Sequence, residues 1–120
     1  MKKKFGNLKS GNEFYHVLSM GTNKCIKMGN RYLSYDEIGQ VTWRDGNPEV
    51  EVFVPQTFMS VKIGGVFMKS LILGPHLVCI KVESELYSKI KNKYYKINAI
   101  DMRTGAGYYM NSHDIVVGED

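Results

Sequence analysis

The chain contains little cysteine and proline, with two and three residues of these types among 120. Cys25 and Cys79 are too few for the disulfide framework of a small secreted scaffold, and they form no Cys-x-x-Cys pair. A free cysteine behaves as a small buried hydrophobe. We therefore expect two reduced thiols packed in the interior, and whether they ever pair depends on the compartment.

Long apolar runs are also missing, because none approaches the roughly 20 residues of a membrane-spanning helix. The first residues, Met1 to Leu8, are basic like the start of a signal peptide but lack the apolar stretch that such a peptide requires. The chain as given is therefore expected in the cytoplasm, or in the cell envelope if a leader has been removed.

Sequence signals of catalysis are absent as well. The chain has no nucleophile elbow, no glycine-rich phosphate loop and no dinucleotide-binding fingerprint. His16, His76 and His113 lie far apart along the chain, whereas zinc ligands usually include one close pair. We predict no metal site, no cofactor and no enzymatic activity.

Turn residues, by contrast, are frequent. Clusters such as Gly29-Asn30 and Asp45-Gly46-Asn47-Pro48 separate short segments rich in Val, Ile, Tyr and Phe. This spacing predicts one mostly β domain over residues 1–120, either a small barrel or a curled antiparallel sheet. One short helix is predicted near residues 84–92, residues 1–10 fit a flexible basic tail, and no internal repeat is evident.

Two hairpins are predicted within this sheet. The first joins residues 40–44 to residues 49–54 through the Asp45 to Pro48 turn, because apolar and polar residues alternate on both sides. The second joins residues 58–63 to residues 66–73 through Gly64-Gly65, since glycine tolerates positive φ. A further strand is expected from His76 to Val82.

Trp43 is predicted to pack beneath this sheet, so that Trp43→Ala should cost about 3–5 kcal/mol. The rest of the predicted core consists of aliphatic residues and one phenylalanine: Leu33, Ile38, Val41, Val50, Val52, Val54, Met59, Val61, Ile63, Val66, Phe67, Leu71, Val78, Ile80, Leu86, Ile97 and Ile100.

The strongest local signal for binding is a segment in which lysines interleave with tyrosines. Lysines can neutralise phosphates, and aromatic faces can stack on unpaired bases, so the segment is a candidate nucleic-acid surface. The alternative is a solvated junction with half-buried tyrosines. The candidate binding residues are Tyr87, Lys89, Lys91, Lys93, Tyr94, Tyr95 and Lys96.

Residues 50–81 show a further pattern: Val52-Phe53-Val54-Pro55, then Phe58-x-x-Val61-x-Ile63-Gly64-Gly65-x-Phe67-Met68-x-x-Leu71, then Gly74-Pro75-x-Leu77 and Lys81. This pattern resembles part of a family of uncharacterised β-rich cell-envelope proteins of bacteria. The resemblance covers about a quarter of the chain, and it implies a β-rich module without enzymatic activity. Those proteins normally carry an export signal, which this chain lacks.

Two functions remain open at this level. The first is a non-catalytic binding or assembly module that acts through protein–protein contacts, including self-association by pairing of strand edges. The second is a nucleic-acid-binding β module that uses the basic and aromatic segment. The net charge of +4 and the pI near 9.0 favour acidic partners weakly and do not separate the two.

Overall fold

A computed structural model describes residues 1–19, 22–36, 38–69, 76–90 and 93–119, and for 84–90 and 93–94 it describes the backbone only. These residues are mostly β, as predicted, and all strand pairs are antiparallel. Within them we find neither a closed barrel nor an α-helix. The strands are β1 (Lys2–Lys4), β2 (Glu13–Phe14), β3 (Lys24–Met28), β4 (Arg31–Tyr35), β5 (Val41–Asp45), β6 (Glu51–Phe53), β7 (Pro55–Thr57), β8 (Val66–Lys69), β9 (Leu77–Ile90), β10 (Lys93–Asp101), β11 (Gly107–Tyr108) and β12 (Ile115–Gly118).

The strands form three sheets. The strand order is β2-β3-β4-β5 in one sheet and β11-β10-β9-β8-β12-β7 in the largest, while β1 pairs with β6. Short 3₁₀ turns follow β1 and β7, at Phe5–Asn7 and Phe58–Ser60.

The chain contains the same unit twice, which corrects the expectation that no internal repeat exists. The first repeat runs from β1 to β6, and the second from β7 to β12. In both repeats a 3₁₀ turn leads into a strand whose phenylalanine is paired with a buried cysteine, Phe14 with Cys25 and Phe67 with Cys79. The last strand of each repeat then returns to pair with the first.

Each repeat builds its own hydrophobic core, and a third cluster joins the two. The first core centres on Phe5, Phe14 and Cys25, and the second contains the equivalent Phe58, Phe67 and Cys79. Between them, Tyr15 packs with Met68 and Val117. Because Tyr15 and Met68 directly follow the two core phenylalanines, the contact between repeats uses equivalent positions from both sides.

The helix predicted near residues 84–92 is wrong, because β9 continues as a strand to Ile90 and pairs with β10. Leu86 and Ile90 suit one helical face, but they are also alternate positions of a strand, and Leu86 is paired with Ile97. Residues 91 and 92 lie outside the described residues.

The first predicted hairpin is also wrong in its partners. Strand β5 forms as expected, but it pairs with β4, with Trp43 opposite Leu33. Strand β6 pairs with β1 instead of β5. The turn at residues 45–48 therefore does not join neighbouring strands, and the backbone N–H of Gly46 instead donates to the carbonyl of Asn30 at 2.8 Å.

The second predicted hairpin is wrong as well, although the predicted turn at Gly64 does form. Gly64 takes a φ of +85°, as the glycine pair suggested. The residues before it form the 3₁₀ turn rather than a strand, and β8 pairs with β9 and β12. The strand predicted from His76 is confirmed from Leu77 onward, while residues 70–75 lie outside the described residues.

The predicted core is right for Val52, Val54, Val61 and Phe67, which are buried. The prediction that Trp43 lies in the core is wrong, because half of its surface is exposed at the sheet edge. Alternation shows that a strand has two faces but not which face is covered. The other predicted core residues that the structure exposes are Ile38, Val41, Val50, Met59 and Ile63.

Residues 1–10, for which the sequence suggested a flexible basic tail, include β1 and the first 3₁₀ turn. Lys2 to Lys4 pair with β6, and the side chains of Phe5 and Leu8 are buried in the first core.

Candidate functional site

The predicted basic and aromatic segment lies on a two-stranded arm. Strand β8 pairs with β9 only between Leu77 and Ile80, and β11 pairs with β10 only at Ala99 and Ile100. Beyond these positions the described residues of β9 and β10 pair only with each other, residues 86–90 with residues 93–97, and we call this two-stranded ribbon the arm. The molecule is elongated and measures 54 × 28 × 20 Å.

The register of the arm brings together four of the seven candidate residues. Tyr87 is paired with Lys96, and Lys89 is paired with Tyr94 two positions further along. Alternate positions of a strand belong to one face, so these four share a face of the ribbon.

Two candidate residues, Lys93 and Tyr95, fall in the alternate register of the arm. Tyr95 is 49% exposed. Lys91 lies outside the described residues. The arm therefore carries a lysine and tyrosine set on one face and a separate lysine and tyrosine on the other.

A second surface lies on the outer face of the first-repeat sheet, and it includes Leu33, Val41 and Trp43, which the sequence assigned to the core. The register aligns Ile26, Leu33 and Trp43 in one row across three strands, and Tyr35 and Val41 in the next row. Trp43 and Val41 are about half exposed, and every residue of β5 is exposed. We call this surface the Trp43 face. Its apolar residues are Ile26, Met28, Leu33, Tyr35, Val41 and Trp43.

Charged residues border the Trp43 face at its corners. Arg31 places its guanidinium 5.1 Å from the centre of the Trp43 ring and forms an ion pair with Asp45 at 3.3 Å. Lys24 occupies the opposite corner, next to the row of Tyr35 and Val41. The rim thus carries both signs of charge around an apolar centre.

The second repeat does not reproduce this face. The row that corresponds to Ile26, Leu33 and Trp43 reads Ile80, Ile100 and Gly107. A Cβ at Gly107 would lie 2.8 Å from a methyl group of Ile97, so the space of the tryptophan is filled by another side chain. The Trp43 face therefore belongs to the first repeat alone.

A cleft of about 430 Å³ opens on the inner side of the same sheet. The rings of His16 and Tyr32 lie 5.3 Å apart, with Arg44 beside them. Burial, together with the nearby Arg44, lowers the pKa of His16. Burial raises the pKa of Cys25 and of Tyr32. The remaining lining is mostly polar: Val17, Ser19, Thr22, Asn23, Cys25 and Ser34.

The Cys79 thiol lies in the packed interior of the second repeat. Burial raises the pKa of the Cys79 thiol to about 11, which disfavours the thiolate that nucleophilic chemistry needs. Among the described residues, no group of three or more His, Cys, Asp and Glu is arranged to hold a metal ion. In this part of the chain there is also no helix with the length and apolarity to cross a membrane.

Together these features describe a duplicated antiparallel β protein with an apolar face, a polar cleft and a two-stranded arm. Comparison of the chain with protein-family models, curated proteins and solved structures gives no significant match. The resemblance of residues 50–81 to envelope proteins therefore stays a prediction.

The signal for the Trp43 face was present in the sequence. In β3, β4 and β5 apolar residues occupy alternate positions: Ile26 and Met28, Leu33 and Tyr35, and Val41 and Trp43. The alternation assigns Leu33, Val41 and Trp43 to the core because buried and binding faces share the same pattern. The cleft gave no local signal, since its residues come from separated segments.

Proposed function

We propose that the protein is a non-catalytic assembly module in which the Trp43 face binds a second copy of the chain. The observation that carries the proposal is the apolar row of Ile26, Leu33 and Trp43 on an antiparallel sheet, in which Trp43 is half exposed and Ile26 and Leu33 are partly buried. The solvent-facing side of such a sheet normally carries polar residues. A contiguous apolar patch on a soluble protein typically marks an interaction site, and tryptophan is the residue most enriched at the centres of interfaces.

The distribution of charge supports a second copy as the occupant. A two-fold interface uses the same patch on both subunits, so the patch must complement itself. A two-fold axis along the diagonal from Met28 through Leu33 to Val41 would place Lys24 of one copy against Asp45 of the other. The same operation places Trp43 of one copy against Tyr35 of the other. The two sheets then cross nearly at right angles, and orthogonal packing is one of the two common ways in which sheets pack.

The test uses Trp43 as an intrinsic probe, because it is the sole tryptophan of the chain. Its fluorescence should shift to shorter wavelength with increasing protein concentration, in step with a doubling of mass by light scattering. Trp43→Ser should keep the protein monomeric. Ile63→Ser, which changes an exposed apolar residue of the second repeat, should not.

A charge variant tests the proposed orientation. Lys24→Asp should weaken association because it faces Asp45 of the other copy with a like charge, while Lys9→Asp makes the same charge change at an exposed lysine outside the face. A monomeric mass and constant emission up to about 1 mM, where binding would be weaker than about −4 kcal/mol, would rule out this assembly.

A second candidate function is binding of single-stranded nucleic acid by the arm. The register supports it by pairing Tyr87 with Lys96 and Lys89 with Tyr94 on one face. Replacing Lys89, Lys91, Lys93 and Lys96 by Gln should remove most of the binding and lower the salt slope by about 0.7 per lost phosphate contact. No binding of mixed-sequence oligonucleotides at low salt and tens of micromolar protein would exclude this function.

A further inference from the structure

The cleft on the inner side of the first-repeat sheet contains an arginine without an acidic partner. Arg31 and Arg44 both belong to this sheet, but on opposite faces. Arg31 is paired with Asp45, whereas Arg44 forms no ion pair with any carboxylate of the described residues. Among the described residues that line the cleft, none is acidic. A guanidinium placed this way has its forked donors available for an anion.

The remaining walls of the cleft offer a ring surface and hydrogen-bonding groups. Tyr32 and His16 lie 5.3 Å apart, and the buried Phe14 supports both rings at 5.3 and 5.5 Å. Asn23 also lines the cleft. A volume of about 430 Å³ falls within the range of small-molecule sites.

The second repeat shows that this cleft is not a by-product of the fold. The position of Tyr32 is taken there by Ala99, and that of Arg44 by Tyr108. Asp101 replaces Ser34 and accepts hydrogen bonds from its own turn, at the backbone N–H groups of Arg103 and Thr104. The second repeat therefore has a carboxylate where the first has a hydroxyl, and a tyrosine where the first has Arg44.

We propose that the cleft of the first repeat binds a small aromatic anion, in which Arg44 holds a phosphate or carboxylate group and the rings of Tyr32 and His16 contact the aromatic part. Arginine recognises both anions through parallel N–H···O bonds. The site is separate from the Trp43 face, since Arg44 and Trp43 are neighbours on a strand and belong to opposite faces.

The experiment titrates the full chain with phenyl phosphate, benzoate, inorganic phosphate and benzyl alcohol, and follows backbone amide resonances by NMR. Phenyl phosphate or benzoate should shift the resonances of Asn23, Tyr32 and Arg44 in a saturable way. The tighter of the two identifies the preferred anion. Inorganic phosphate should bind more weakly because it lacks the ring, and benzyl alcohol, which has the ring without charge, should not bind.

Matched variants test the role of Arg44. Arg44→Gln should weaken binding on the order of tenfold or more, as expected for loss of a charged hydrogen-bond donor. Arg103→Gln removes the same charge from an exposed turn of the second repeat and should leave binding unchanged. Asn23→Asp adds a carboxylate to the exposed wall of the cleft and should weaken binding by repulsion.

Two outcomes would overturn the proposal. One is the absence of saturable shifts with either aromatic anion up to about 10 mM. The other is equal binding by Arg44→Gln and the unchanged protein, because the anion would then lie elsewhere. Neither outcome depends on whether the protein associates through the Trp43 face.

Discussion

Lys27 and Lys81 occupy equivalent places in the two repeats and hold the two 3₁₀ turns in the same way. The ammonium group of Lys27 donates to the carbonyls of Phe5 and Leu8 at 2.9 and 2.7 Å. The ammonium group of Lys81 donates to those of Phe58 and Val61 at 3.0 and 2.7 Å. Each also lies over the phenylalanine ring of its turn, at 4.8 and 4.5 Å.

This relationship leads to a first prediction about stability. Lys27→Met should lower the free energy of unfolding by about 1–3 kcal/mol, because it removes the ammonium donor from the carbonyl oxygens of Phe5 and Leu8. The Phe5 oxygen keeps the backbone N–H of Leu8 as a donor. Lys81→Met should cost less, since Lys81 is only partly buried. Lys9→Met and Lys62→Met change the exposed lysines of the same two turns and serve as controls. Urea denaturation measures the stability of all four variants. If Lys27→Met lowered stability no more than Lys9→Met, and Lys81→Met no more than Lys62→Met, the stabilising role of the two ammonium groups would be contradicted.

A second prediction separates core aromatics from the exposed one. Phe14→Ala and Phe67→Ala should each lower stability by about 3–5 kcal/mol, because both side chains are fully buried. Trp43→Ala should lower the free energy of unfolding by less than about 1 kcal/mol, because surface substitutions usually change it by only about 0.5 kcal/mol. The measurement is made at a protein concentration where the chain is monomeric. A loss of several kcal/mol at Trp43 would show that its face is covered within the monomer.

The third prediction concerns the thiols. Burial raises the pKa of Cys79 to about 11, and Cys25 is buried in the core of the first repeat. Because the thiolate is the reactive form, neither cysteine of the native protein should react readily with a thiol reagent at pH 8, and both should react once the chain is unfolded. The Cys79 contribution to stability should be lost as pH rises toward about 11, because the unfolded thiol ionises first. Rapid labelling of the native protein would contradict this burial.

The fourth prediction concerns His16, whose pKa is lowered by burial and by the charge of Arg44. The unfolded state therefore binds a proton at higher pH than the folded state. This contribution to stability is present above the unfolded pKa, about 6.5, and is lost as pH falls below it toward the folded pKa.

NMR titration of the imidazole should show the lowered pKa of His16 directly. Arg44→Gln should raise it part of the way back, since burial is the larger cause and remains. Arg103→Gln is the control for the same loss of charge. An unchanged pKa of His16 in Arg44→Gln would show that the Arg44 guanidinium lies too far from the imidazole to affect its pKa.

The repeat was visible in the sequence once its length variation was allowed for. Phe5-x-x-Leu8-Lys9-x-Gly11-x-x-Phe14 matches Phe58-x-x-Val61-Lys62-x-Gly64-x-x-Phe67, and Cys25-Ile26-Lys27 matches Cys79-Ile80-Lys81. The long β9 and β10 of the second repeat hide this match, because their counterparts β3 and β4 have five residues each. Residues needed for the same turn and the same core contact stay alike, while strand length varies.

The sequence by itself determined the class of structure and several of its turns. Alternating apolar residues separated by Gly and Asn specify strands, and the turn at Gly64 requires a residue that tolerates positive φ. These features are local, so they depend only on neighbouring residues.

Only the tertiary structure decided which strands pair and which faces are covered. Strand β5 pairs with β4, which is close to it in sequence, whereas β6 pairs with β1 at the other end of the first repeat's sequence. Trp43 has the same alternation as the buried Val52, yet it is half exposed because no layer packs on its side of the sheet within the described chain. The pleat gives every strand two faces, and long-range contacts between distant segments select the one that becomes core.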